Sequence, residues 1–193
     1  MEPAAKKVRK PDKPLKFLSH EETAALFQVI TRARDKAIFR LLYHRGLRAS
    51  EVGRIQISDW SPETERLMVR RRKGSVSAPF RLTAIESRVL RAWIRERGTA
   101  AGPMFLSRKH SPITRQQIYT LMRDYCQRAN IPAERAHPHA LKHSCGTHLL
   151  EKLGDITVVQ DHLGHRDIRS TMIYAKLVSP TRERAAEQLR DWS

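Results

Sequence analysis

The sequence predicts a mainly α domain of the α+β kind, a helical bundle carrying one small antiparallel β-sheet. Three observations predict it. Apolar residues recur at helical spacing along most of the 193 residues. One stretch alone, ERLMVRRRKGSVSAPFRL, alternates with period two before a Lys73-Gly74-Ser75 turn and leans apolar after it. Strand-like and helix-like stretches do not take turns along the chain, so a parallel sheet is not implied.

Residues 1 to about 16 read as a flexible basic arm, with six Lys or Arg, three Pro and almost nothing to bury. Residues 17–193 read as one domain. Its first helix lies in FLSHEETAALFQVI, where Ser19 and Glu22 form a capping-box pattern and Leu26, Phe27 and Ile30 an apolar stripe. The second, RDKAIFRLLYHRG, turns Ala37, Ile38, Leu41 and Leu42 inward and stops at Gly46. The hairpin follows, its first arm carrying Leu67 and Val69 and its second ending at Leu82, with room for a third short strand before it. TAIESRVLRAWIRERG is an amphipathic helix capped by Thr83, predicted to bury Ile85, Val89, Ala92 and Trp93. Thr114 opens the next helix, and Pro132 and Pro138 bracket a loop. A helix from about 139 to 153 ends at Gly154, and short helices over 155–163 and 170–177 precede a terminal one from about 180. No internal repeat is visible.

Charge is the strongest global signal. Against 20 Asp plus Glu stand 37 Lys plus Arg, a net +17. Such an excess points to a polyanionic partner, and nucleic acid is the first candidate, because neutralised phosphates release counterions. No stretch approaches the ~20 apolar residues of a spanning helix. The start lacks an apolar signal core, so no membrane role is expected. Two isolated cysteines, Cys126 and Cys145, build neither a disulfide framework nor a thiolate zinc site, which fits a reduced, cytoplasmic protein.

HPHALKHSCGTHLL at 137–150 packs four histidines and a lysine into one helix. His139 and His143 share a face at metal-ligand spacing, but the motif lacks the glutamate of HExxH and sets Lys142 between the ligands, where it repels a cation. No metal or cofactor is expected there. Leu141, Cys145, Leu149 and Leu150 form the apolar stripe, and His148 reads as packing. Elsewhere GLRASE places Arg48 beside Glu51, RKGS puts Lys73 at the hairpin tip, and His165 precedes Tyr174 by nine residues.

In that order the boxes resemble the catalytic domain of the tyrosine recombinase (lambda-integrase-like, phage-type integrase) family. The family pattern is an arginine in G-L-R-x-S-E, a hairpin lysine, H-x-L-R-H, an L-G-H box and a tyrosine nine residues after its histidine. Here they read GLRASE, RKGS, HALKH, LGH and IYAK, and the resemblance runs from about residue 16 to the C-terminus. FLSRK, TRQQIY, HPHALKHSCG and VQDHLGHRDIR are especially similar to the small fimbrial phase-switch recombinases and to bacterial integrases.

The resemblance implies a DNA recombinase or integrase that breaks and rejoins double-stranded DNA through a 3′-phosphotyrosine on Tyr174, with no cofactor. It implies that Arg48 and Lys142 hold the phosphate oxygens and that Lys73 protonates the leaving 5′-oxygen. His139 then serves as general base toward Tyr174, and His165 hydrogen-bonds the phosphate; Glu51 and His143 support. Lys142 stands where the family has arginine, keeping charge but losing the planar fork that grips two oxygens. The family's usual separate N-terminal core-binding domain is expected to be absent, and the resemblance implies a monomer when free and a tetramer on synapsed DNA. Tyr43, Tyr119 and Tyr125 lie within helical patterns and are read as core. Two other functions share this fold or chemistry, a regulator that binds DNA without cutting and a type IB topoisomerase-like enzyme.

Overall fold

The fold is that of a computed structural model and is described for residues 15–71 and 75–175. The expected basic arm and the terminal helix from about 180 fall outside the described residues, apart from Leu15 and Lys16. Lys73 at the hairpin tip falls outside them too.

Helix α1 (His20–Val29) begins with the predicted capping box: Ser19 Oγ accepts from the Glu22 amide at 3.2 Å and Glu22 accepts from the Ser19 amide at 3.0 Å. Such a cap contributes about 1 kcal/mol. The preceding Leu18 is fully buried, and its amide donates to Ser144 Oγ at 2.8 Å, tying the chain's entry to a helix far along the sequence. Helix α2 (Ala33–His44) buries Ala37, Ile38, Phe39, Leu41 and Leu42. It ends at Gly46, whose φ is +53°. A Cβ there would lie 2.3 Å from Leu163 Cδ2, so the glycine serves both the turn and a close helix contact. Helix α3 (Ala49–Val52) follows at once.

The sheet is antiparallel in the order β1-β2-β3, formed by β1 (Trp60–Ser61), β2 (Arg66–Val69) and β3 (Ala78–Arg81). Leu67 pairs with Phe80 and Val69 with Ala78. Helix α4 (Ala84–Arg97) is capped by Thr83 through a reciprocal bond with Glu86. Its buried face differs from the expected one: Glu86, Leu90 and Ile94 are buried, whereas Ile85, Val89, Ala92 and Trp93 are only half-buried. The cause is Glu86, which α4 turns inward to meet Arg45. Arg45 Nε donates to Glu86 at 2.7 Å and a second, very short contact runs from Nη2. Burial pushes the Glu86 carboxyl up, but the hydrogen bonds from His44 and Arg45 outweigh it and hold the group at about 2.

Helix α5 (Arg115–Arg128) buries Ile118, Met122, Tyr125 and Cys126. Tyr125 donates to the buried Asp35 at 2.8 Å, confirming it as core. Helix α6 (Pro138–Leu153) starts with proline at its first turn and ends at Gly154 in the left-handed region. It runs through the centre of the molecule and packs against α2, α5, α7 (Ile156–Leu163) and α8 (Met172–Ala175). Among the described residues no helix is long and apolar enough to cross a membrane.

Candidate active site

Five segments converge on the N-terminal half of α6, each for a local reason. Arg48 is the residue just before α3, and Glu51, in that helix's first turn, is buried behind it. Glu51 accepts from the Arg48 amide at 2.8 Å and from Arg48 Nη1 at 3.0 Å. Nη1 also donates to Ser75 Oγ at 3.0 Å, so the far arm of the hairpin rests on the same guanidinium. Glu51 therefore orients Arg48 from beneath, while the arginine stays partly open to solvent.

The returning hairpin meets the end of α7. Ser75 bridges His165, and the Val76 amide donates to the Gly164 carbonyl at 3.1 Å. Gly164 has φ +64°, and a Cβ there would strike Arg71 Nε at 2.7 Å. Arg71 is buried and donates to the carbonyls of Arg45 at 2.9 Å and His162 at 3.2 Å, with Glu51 3.8 Å away. His165 shares a 3.0 Å hydrogen bond with the fully buried Thr171, which fixes the ring.

Helix α6 supplies the rest. His137 caps it, accepting from the Ala140 amide at 3.1 Å. His139 lies at the surface beside Arg48 and Arg115, and with Tyr119 these line a pocket of about 200 Å³. Two cations, an imidazole and the first turns of three helices around so small a space fit an anion of phosphate size.

Lys142 is placed differently from expectation. Its Nζ does not face this pocket. It is buried and donates to the carbonyls of Gly46 at 2.9 Å and Leu163 at 3.3 Å, where α2 and α7 end. An ammonium suits two carbonyl-rich helix ends. Burial, with Arg71 and Arg48 adding repulsion, pulls its pKa down to about 7.

The imidazole that meets Tyr174 also differs. His143 Nδ1 stands 3.3 Å from Tyr174 Oη, whereas His139 sits edge-on to His143, ring centroids 4.5 Å apart. His143 is thus at the Tyr174 hydroxyl and His139 at the anion pocket. Burial, followed by repulsion from neighbouring imidazoles and Lys142, lowers His143 to about 3. Partial desolvation by the surrounding protein, then the Lys142 charge, lower His139, whose edge stays open at the surface, and the half-buried His165 to about 4 each. All three are neutral near pH 7. Tyr174 itself is fully buried, its ring lying on Gly146, where a Cβ would come within 2.5 Å of Cζ. Burial pushes its phenol well above the ordinary tyrosine value.

Arg71, Arg115, Thr171 and Gly146 were not singled out from sequence. Arg71 had a signal: it continues the inward register of Leu67 and Val69 along the strand. Arg115 had only its place in the first turn of a helix.

This geometry defines a helical domain with an anion pocket beside a sequestered tyrosine. Comparisons with known proteins agree. The model of the phage integrase family matches residues 16–179. The type 1 fimbriae regulatory protein FimE of Escherichia coli is 34% identical over 168 residues, covering 82% of this chain and 84% of FimE. The tyrosine recombinase XerA of Thermococcus onnurineus is 32% identical over 194 residues, covering 96% of this chain and 68% of XerA. Among solved structures, XerA recombinase superposes with a TM-score of 0.76 at 24% identity, covering 96% of this chain and 66% of that one. A pre-cleavage complex of the XerH site-specific recombinase bound to difH gives 0.77 at 23% identity, covering 94% and 56%. The chain belongs to the phage integrase family, and its fold is that of the tyrosine recombinase catalytic domain.

Proposed function

We propose that the protein is a site-specific recombinase that cuts and rejoins double-stranded DNA through a 3′-phosphotyrosyl link to Tyr174. The observation that carries this reading is the tyrosine itself, held 3.3 Å from a neutral imidazole and next to a cationic pocket. A phenol of ordinary pKa near ~10 is a poor nucleophile and needs a proton acceptor. In this scheme Tyr174 Oη attacks phosphorus and the 5′-oxygen leaves, so that one phosphoester replaces another. Neither ATP nor a metal is needed for that exchange.

Arg48 and Arg115 hold the non-bridging oxygens, and His165, braced by Thr171, adds a third contact. His143 takes the phenol proton, and His139 contacts the phosphate from the pocket rim. Lys142 stabilises charge from beneath rather than gripping an oxygen, and Lys73 serves as the acid toward the 5′-oxygen. Glu51 keeps Arg48 in register. Because Tyr174 is buried, α8 must lift it toward the pocket before attack, which fits cleavage that waits for an assembled complex. We place the free protein as a cytoplasmic monomer that becomes a tetramer on synapsed DNA, its basic N-terminal arm along the backbone and residues 17–193 as the catalytic domain.

The test is incubation with DNA flanking the candidate element, nicked near the cleavage point to trap the product. A covalent protein–DNA adduct on one mapped strand is expected, absent for Tyr174→Phe. Specific binding without any adduct would instead mark a regulator that does not cut. Relaxation of supercoils by the monomer without site pairing would mark a topoisomerase-like enzyme.

A further inference from the structure

On the far side of α6 from the anion pocket lies a second cluster. We propose that His20, His148 and Glu151 form a binding site for a transition-metal ion of the zinc class, clipping the start of α1 to the C-terminal half of α6. This inference does not rest on the recombinase reading.

His148 and Glu151 are three apart on α6 and so share a face, and His20 is the first residue of α1. One donor atom from each of the three lies within 4.8 Å of the others. Two of them already meet in a hydrogen bond. His20 Nε2 and Glu151 Oε2 are 3.3 Å apart, and ligands 2.0–2.1 Å from a tetrahedral zinc are separated by roughly 3.3–3.4 Å.

His148 supplies the fixed part. It is 6% exposed, and its Nδ1 shares a 2.9 Å hydrogen bond with the Tyr43 hydroxyl. Its Nε2 has no hydrogen-bond partner among the described residues. The Leu18 backbone also lies against the ring as a hydrogen-bonding neighbour that raises its pKa, a contact that a bound metal would replace. A buried imidazole with one nitrogen held and the other unspent is how a metal-bound histidine is oriented, its outer nitrogen fixed by a second group. Tyr43 is that second group here.

His20 and Glu151 are exposed, so closing the site needs only surface side-chain movement. His20 now stacks on His148 with ring centroids 3.8 Å apart and must swing so that its nitrogen converges. Two imidazoles and a carboxylate with an open fourth position match the donor set of zinc sites that keep a water. That position opens onto a cleft of about 760 Å³, lined also by His44 and Cys145.

The full chain, free of any affinity tag, is titrated with Co²⁺ alone and then with Zn²⁺. One equivalent of Co²⁺ is expected to give a low-symmetry visible band that Zn²⁺ displaces, and Zn²⁺ at about 100 times its Kd should raise Tm by about 5–10 °C. His20→Ala and Glu151→Gln, both surface changes that leave the fold intact, should each weaken binding by more than the roughly 10–100-fold that an outer-shell loss costs, and Tyr43→Phe by roughly 10-fold. His139→Gln should leave binding unchanged. No Co²⁺ band, an unchanged affinity in His20→Ala and Glu151→Gln, or a loss in His139→Gln would each overturn the site.

Discussion

The hydroxyl of Tyr174 lies 3.3 Å from Nδ1 of His143, one helical turn beyond His139, the histidine that the family resemblance casts as proton acceptor. His139 and His143 project from successive turns of α6, and the side chain four residues on is the one that reaches under α8. Held at about 3 by burial, then by the neighbouring imidazoles and Lys142, His143 is neutral and has a lone pair to offer. His143→Gln is therefore expected to slow adduct formation by roughly 10²–10⁴, the usual worth of a general base, and by more than His139→Gln does. Single-turnover adduct assays across pH separate the two, and equal rates for wild type and His143→Gln would remove His143 from the chemistry.

Gly146 is the floor on which the Tyr174 ring rests. A Cβ there would meet Tyr174 at 2.5 Å from Cζ and 2.7 Å from Cε2, too close for either ring edge to escape by rotation. Gly146→Ala is expected to cost about 1–3 kcal/mol, the usual range for overpacking, and to push the tyrosine out of its slot. Urea denaturation reads the first effect. Nitration of Tyr174, located by mass spectrometry, reads the second and should rise in the variant. If stability and protection both stayed at wild-type levels, the ring would not be seated on Gly146 in solution.

Three imidazoles at the site refuse protons that the unfolded chain accepts. Unfolded histidines titrate near ~6.5, whereas His139 and His165 are held to about 4 and His143 to about 3. Above pH 6.5 both states are neutral and nothing is lost. As pH falls from 6.5 toward 4 the unfolded state binds more protons, so stability drops across that window. Denaturation midpoints at pH 7, 6 and 5 should fall steadily, and less steeply in His143→Gln. Saturating DNA, by placing phosphates beside the rings, should flatten the loss. A profile identical for wild type and His143→Gln would mean the ring is not desolvated.

Much of this was legible beforehand because it is local. The caps at Ser19, Thr83 and Thr114, the stops at Gly46 and Gly154 and the single hairpin all follow from short-range chemistry, and each stands where the sequence puts it. What escaped is non-local. The face of α4 differs from the one its apolar residues suggest because Glu86 turns in, and only Arg45, 41 residues away, explains that. The roles of His139 and His143 depend on which turn of α6 lies beneath α8, and no spacing within the helix reveals that. Lys142 was read as a substitute at the phosphate, but the shorter, unforked side chain finds two helix-end carbonyls first.

That placement makes Lys142 a measurable liability. Its pKa, about 10.5 in the unfolded chain, falls to about 7 in the fold because burial disfavours the ammonium and Arg71 and Arg48 repel it. Below pH 7 both states carry the charge and the folded protein bears the whole penalty. Between 7 and 10.5 the folded lysine sheds its proton first, the penalty shrinks, and stability rises with pH by up to about 1.4 kcal/mol per unit. Buried Cys126 and Cys145, both pushed up to about 12, act in the opposite direction once unfolded thiols ionise near ~8.5. The clean window is therefore pH 7 to 8.5. Across it wild type should gain stability relative to Lys142→Met, which has nothing to titrate at that position. The variant also leaves the Gly46 and Leu163 carbonyls without the ammonium, so its absolute stability is set by a second effect, and the difference in slope is the readout. Parallel curves for the two proteins would place the ammonium in solvent and return Lys142 to the pocket where an arginine would have stood.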